Sequence, residues 1–185
     1  MHDLRYQYLN IFQMLEEERY PDCKVYLGKI LDILEKNGYV QFTGNHYIDF
    51  IVNYKKLEAE KKEISVKIDA DIVGNLIEFQ QEDINVILGN LMDNAIEACE
   101  KIHDSERWIT IQLDRVKGML FITVVNSIKY IPNITDGVLI TSKQEMKTAH
   151  GLGIKSVKHC IEKYDGIFNT EFDKNTFKVS ITLFI

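Results

Sequence analysis

Hydrophobic positions along the chain switch between two periods, and the switches divide it into elements. Leu4, Tyr8, Ile11, Phe12 and Leu15 recur at helical spacing and predict a helix over residues 3–18. Arg19-Tyr20-Pro21-Asp22 breaks that pattern, and Pro21 suits the opening of a second helix. The second helix carries Val25, Leu27, Ile30, Leu31 and Leu34 and stops near Asn37-Gly38. A third opens at Gly44-Asn45 and contains IDFIVNYKKLEAEKK. ISVKID then alternates apolar and polar, as a half-buried strand does. A fourth helix, with Glu82 or Asp83 as its expected cap, holds Ile84, Ile87, Leu88, Leu91, Ala95, Ala98 and Ile102 on one face. WITIQLDRV and MLFITVVNS read as two strands joined at Lys117-Gly118 into a hairpin. Residues 129–149 show no period and predict an irregular segment. HGLGIKSVKHCIEKYDG reads as a glycine-rich entry, a helix, and a stop at Asp165-Gly166; GIFNTEF and TFKVSITLFI close the chain as strands.

This order predicts two parts. Residues 1–40 form an αα-hairpin, which buries little alone. Its apolar stripe is expected to pair with a second copy as a four-helix bundle in a homodimer. Residues 41–185 predict an α+β domain, a mixed sheet covered by helices on one face. A hydrophobic content of 45% over 185 residues suffices for one packed domain plus an appendage. The net charge of −6 disfavours nucleic acid as a partner, since that needs a basic stripe. No apolar run approaches the length of a membrane span, and no signal peptide is visible. Cys23, Cys99 and Cys160 stand singly in helical patterns and suggest reduced core thiols, without a metal site or disulfide framework.

Three features carry candidate chemistry. In NLMDNAIEACEK, Asn90 and Asn94 lie one turn apart, and with Glu97 they fall within about 60° of one another at the edge of the apolar face. Polar groups there suit a cleft wall. His150-Gly151-Leu152-Gly153 precedes a helix whose free N–H groups can meet phosphate, while the glycines let a ligand approach the backbone. Asn126, at the end of an apolar strand in Val125-Asn126-Ser127, offers an amide able to read a purine edge. No P-loop signature and no full dinucleotide-binding fingerprint is present.

Taken in order, these motifs resemble the ATP-binding domain of the GHKL superfamily, with its Bergerat fold, over about residues 42–185. NLMDNAIEA is similar to its N-box and HGLG to its second glycine box. Thr141-Ser142-Lys143 ahead of HGLG, Asn126-Ser127 in place of the usual DxG box, and NYKKLEAEKKEI resemble the Agr-type and citrate-sensor-like bacterial sensor kinases. The resemblance implies that Asn94 ligates the Mg²⁺ bridging the ATP phosphates, with Asn90 in the same pocket. It implies that Asn126 accepts from the adenine amino group where an Asp is usual. Thr141, Ser142 and Lys143 would face the phosphates, and His150, Gly151, Leu152 and Gly153 would line the nucleotide.

HDLRYQYLNIFQMLEEERYP resembles the dimerisation and phosphoacceptor helices of the same subgroup. By that resemblance His2 attacks the γ-phosphate and Asp3 orients or deprotonates it. Tyr6 stands where the subgroup has Asn, which bears on removal of phosphate from the partner. The implied protein is the cytoplasmic kinase core of a two-component sensor. It uses Mg²⁺ and ATP, phosphorylates itself on His2 and passes the phosphoryl group to a response-regulator aspartate. Membrane attachment would come only through a segment upstream. The alternatives are a non-catalytic nucleotide-binding interaction module and an anti-sigma serine kinase, which would lack the His-Asp hairpin.

Overall fold

A computed structural model describes residues 2–36, 39–72, 79–130, 133–135, 138–140 and 152–184. The chain divides into two compact units, residues 1–39 and 40–185. In the first, α1 (His2–Glu16) and α2 (Tyr20–Lys36) form an antiparallel-type hairpin around the break at residues 17–19, with Pro21 in the first turn of α2. Leu9, Phe12 and Leu15 on α1 and Val25 and Leu27 on α2 are exposed.

The second unit begins with α3 (His46–Glu60) and β1 (Ser65–Asp71), followed by α4 (Gln81–Cys99) and the strands β2 (Trp108–Val116) and β3 (Met119–Ser127). A small pair, β4 (Asn133–Thr135) and β5 (Val138–Ile140), comes next, then α5 (Leu152–Glu162), β6 (Ile167–Phe172) and β7 (Thr176–Leu183). Five strands form one mixed sheet in the order β1-β2-β3-β7-β6, parallel only between β1 and β2. The β2–β3 ladder runs without interruption to Val116↔Met119. Lys117 and Gly118 make the two-residue turn with φ of 50° and 81°, the left-handed geometry that matches the twist of a hairpin.

Three helices cover one face. Along β3, Leu120, Ile122 and Val124 turn inward every second residue, and α4 lies over them with Ile87, Leu88, Leu91, Met92, Ala95 and Ile96 buried. Burying each of the larger side chains stabilises the fold by about 1.5–3 kcal/mol. α3 packs beside α4 over β1, and α5 packs on its other side over β6. Among the described residues no helix is long and apolar enough to cross a membrane.

Two expectations need correcting. Neither Glu82 nor Asp83 caps α4: the N-cap is Gln80, which makes no side-chain cap bond. Instead the Tyr164 hydroxyl accepts the Gln80 N–H at 2.8 Å and donates to Asp83 Oδ2 at 2.9 Å. The irregular segment 129–149 also holds the β4–β5 pair, whose three-residue strands are too short to show alternation. At α3 the expectation holds: Asn45 is the N-cap, and its Oδ1 accepts from Tyr47 and Ile48 N–H at 3.0 and 3.2 Å.

Candidate functional site

α4 and α5 lie side by side in opposite directions, and two contacts fix their register. At one end Lys163 and Tyr164, just after α5, bind Asp83 in the first turn of α4. Burial pushes the Asp83 carboxyl up, but bonds from Lys163 at 2.7 Å, Tyr164 and Cys160 outweigh it and hold the pKa below its ordinary value. Cys160, buried beside that carboxylate, is pushed up to about 11 and stays a thiol. Phe79 packs against Tyr164 with the rings tilted by 55° and their centroids 5.4 Å apart, which closes this end.

At the other end Gly153, in the first turn of α5, meets Asn90. A Cβ on Gly153 would lie 2.6 Å from Asn90 Oδ1, closer than any side chain tolerates. A side chain here would push the Asn90 carboxamide aside, so glycine suits the approach. The Asn90 amide donates to the Val86 carbonyl one turn back at 2.7 Å, which turns Oδ1 towards α5. Asn90 is half-buried, whereas Asn94 is exposed and Glu97 half-buried.

The register explains that gradient. α5 covers the flank of α4 from Asp83 to Asn90 and no further, so the stripe through Asn94 and Glu97 continues past the N-terminal end of α5. The N-terminal end of α5, where a helix carries the positive end of its dipole, lies beside Asn90 on that stripe, the α4 shelf.

The end of β3 packs under the C-terminal half of α4. Asn126 takes the next inward place after Leu120, Ile122 and Val124 and is only 2% exposed, with Nδ2 donating to the Ser127 carbonyl at 2.8 Å. Ser127 ties the strand end to α4: its Oγ lies 3.4 Å from Cys99 Sγ and accepts the Trp108 N–H at 3.1 Å. Along α4, Asn94 comes after Asn90, which meets Gly153, and before Cys99, which points from the core side of the helix to the end of β3. Its neighbour Asp93 faces the other way, to a buried lysine on α3, Lys55. Burial pushes the Lys55 ammonium down, but Asp93 and Glu58 outweigh it and raise the pKa above the ordinary value.

Of the expected site residues, the structure brings Asn90 and Gly153 into contact, and it places Asn94 exposed on α4 and Asn126 buried at the end of β3, two elements that pack together. Leu152 starts α5. Thr141, Ser142, Lys143, His150 and Gly151 lie outside the described residues, as do the side chains of His2, Asp3 and Leu152. Sequence reasoning overlooked the Asp83–Lys163–Tyr164 tie, and its signal was present: a Lys-Tyr pair after α5, and an Asp beside the inward-facing Ile84.

The donor set suits a hydrated divalent ion. Carboxamide oxygens are hard ligands, and Asn94 is exposed enough to share an ion with water and phosphate. Among the described residues no group of three His, Cys, Asp or Glu side chains could chelate a metal by itself.

Residues 79–184 match the family described as GHKL domain. No match was found among curated protein sequences. Among solved structures, the catalytic domain of the histidine kinase ThkA shares 23% identity at a TM-score of 0.57, over 77% of this chain and 93% of that one. The histidine kinase domain of a blue-light activated kinase from Erythrobacter litoralis shares 16% at 0.56, over 81% and 67%. The Acinetobacter baumannii histidine kinase AdeS shares 13% at 0.54, over 99% and 97%. The glycine–asparagine contact and the inward Asn126 sit within the matched region, and the chain belongs to the GHKL domain family, with the fold of histidine kinase catalytic domains.

Proposed function

We propose that the chain is the kinase core of a bacterial two-component sensor of the Agr-type and citrate-sensor-like subgroup. Its second unit binds Mg-ATP on the α4 shelf. The supporting observation is the approach of Gly153 to Asn90, which sets the N-terminus of α5 beside the carboxamide stripe of α4. From Asn90 to Glu97 that stripe runs roughly 10 Å along the helix. Adenine lies at the β3 end, where the Asn126 carboxamide accepts from its amino group. The phosphates lie at the α5 end, met by backbone N–H groups of α5 and by Lys143, Thr141 and Ser142, with His150, Gly151 and Leu152 beside them. Asn94 would hold Mg²⁺ through its amide oxygen, and the ion would supply neutralisation of phosphate charge.

The first unit carries the acceptor. A ring nitrogen of His2 bonds to the γ-phosphorus as the bond from phosphorus to the bridging oxygen breaks. ADP leaves, and the imidazole proton passes to Asp3. A response-regulator aspartate then takes the phosphoryl group, its carboxylate oxygen replacing the ring nitrogen on phosphorus. The exposed Leu9, Phe12, Leu15, Val25 and Leu27 support pairing of two hairpins as a four-helix bundle in the cytoplasm. Tyr6, where the subgroup has Asn, favours a second reading in which the hairpin and nucleotide site serve binding alone.

Labelling with γ-³²P-ATP separates the two. The kinase reading expects acid-labile, base-stable label that disappears in His2→Ala. ATP binding without label supports the binding module, and label surviving in His2→Ala contradicts both.

A further inference from the structure

α3 buries two polar side chains one turn apart, Asp49 at 0% and Asn53 at 6% exposure, and neither faces the shelf on α4. Together they grip the backbone of residues 40–44. Asn53 Oδ1 accepts the Val40 N–H at 2.9 Å while its Nδ2 donates to the Val40 carbonyl at 2.8 Å. The carboxamide therefore pairs with Val40 as a neighbouring strand would. Nδ2 also donates to the Asp49 carbonyl at 2.7 Å, which fixes its orientation. The Asp49 carboxylate accepts N–H bonds from Phe42, Thr43 and Gly44 at 3.2, 2.8 and 3.1 Å and the Thr43 hydroxyl at 2.8 Å.

Starting a helix does not need this, because Asn45 already caps α3. Burying a carboxylate is also costly unless its bonds are complete, and apolar packing would hold a loop with less. What such directional bonds add is a defined position and heading for the backbone. They act where the second unit begins, at Val40.

We propose that the Asp49–Asn53 clasp is a positioning device for phosphoryl transfer: it fixes the point and direction at which the chain leaves the nucleotide-binding unit towards the hairpin that carries His2. The inference rests on the kinase reading. Transfer needs the acceptor nitrogen in line with the γ-phosphorus, and small misplacement costs large factors in rate. A released clasp frees residues 40–44, adding up to roughly 17 Å of slack to the tether. Slack lowers the effective concentration of one unit at the other without touching the nucleotide.

The test uses the full chain. Single-turnover labelling at saturating ATP, ATP affinity by titration and amide exchange are compared in wild type, His2→Ala, Asn53→Ala and Thr43→Val. Asn53→Ala is expected to bind ATP within about twofold of wild type, label roughly tenfold more slowly, and exchange the Val40–Gly44 amides faster. Thr43→Val removes only the hydroxyl bond to Asp49 and is expected to slow labelling about two- to threefold at unchanged ATP affinity. An unchanged rate with faster exchange at residues 40–44 overturns the inference. So does a parallel loss of rate and ATP affinity, which marks a merely structural role. If Asn53→Ala does not fold, Thr43→Val decides by the same criteria. A wild type that binds ATP but takes no His2-dependent label overturns the kinase reading and the inference with it. His2-dependent labelling indifferent to the clasp overturns the inference alone.

Discussion

Asn53 on α3 and Asn94 on α4 are the same side chain on two neighbouring helices of one layer, in opposite circumstances. Asn53 is buried, and both ends of its amide are engaged with backbone at 2.7–2.9 Å. Asn94 is exposed on a flank that α5 stops short of covering. A carboxamide with complete internal bonding is part of the frame. One exposed on a helix flank keeps its amide open to solvent and, on the proposed reading, to a ligand. The pair shows that an asparagine's type says little until its bonds are accounted for.

Stability separates them most widely. Asn53→Ala leaves Val40 without its side-chain partners and is expected to cost about 2 kcal/mol, lowering Tm by about 4–8 °C in thermal unfolding. An unchanged Tm would erase the distinction between frame and shelf.

Gly153→Ala sharpens the boundary between the two regions. The added methyl meets Asn90 Oδ1, so the substitution is expected to cost about 1–2 kcal/mol, and Asn90→Ala in the same chain is expected to recover most of it. Additive effects in that double-mutant cycle would mean the two residues do not touch.

How much of this was legible follows the range of the forces involved. β2 and β3 were readable to the residue, because alternation and the Lys117-Gly118 turn are local signals. The asparagine stripe of α4 was readable from 3.6-residue periodicity. The same arithmetic applied to α3 sets Asp49 and Asn53 one turn apart beside the buried Ile48 and Val52, which is the signal of the clasp. Their partners are backbone groups of a preceding loop, which carry no side-chain identity and leave no trace in a sequence. The cap of α4 was misassigned for a related reason. Local capping chemistry pointed to Glu82 or Asp83, but a tyrosine 84 residues from Gln80 supplies the oxygen.

The smallest effect concerns that tie. Because the folded Asp83 carboxyl titrates below its ordinary value, its stabilisation is present above pH about 4 and is lost as pH falls through the folded pKa. Asp83→Asn is expected to lower stability by about 1 kcal/mol at neutral pH, with the gap from wild type closing in acid. A gap constant from pH 7 to 2 in denaturant titrations would show that the charge of Asp83 contributes nothing.

The central claim is a Mg-nucleotide site on the α4 shelf, and isothermal titration with Mg-ATP tests it most directly. Wild type is predicted to bind one nucleotide per chain. Asn94→Ala is predicted to bind at least about tenfold more weakly at an unchanged Tm, because an exposed amide contributes little to the fold. No binding heat from folded wild type at any temperature tried, or equal affinity in Asn94→Ala, would contradict it.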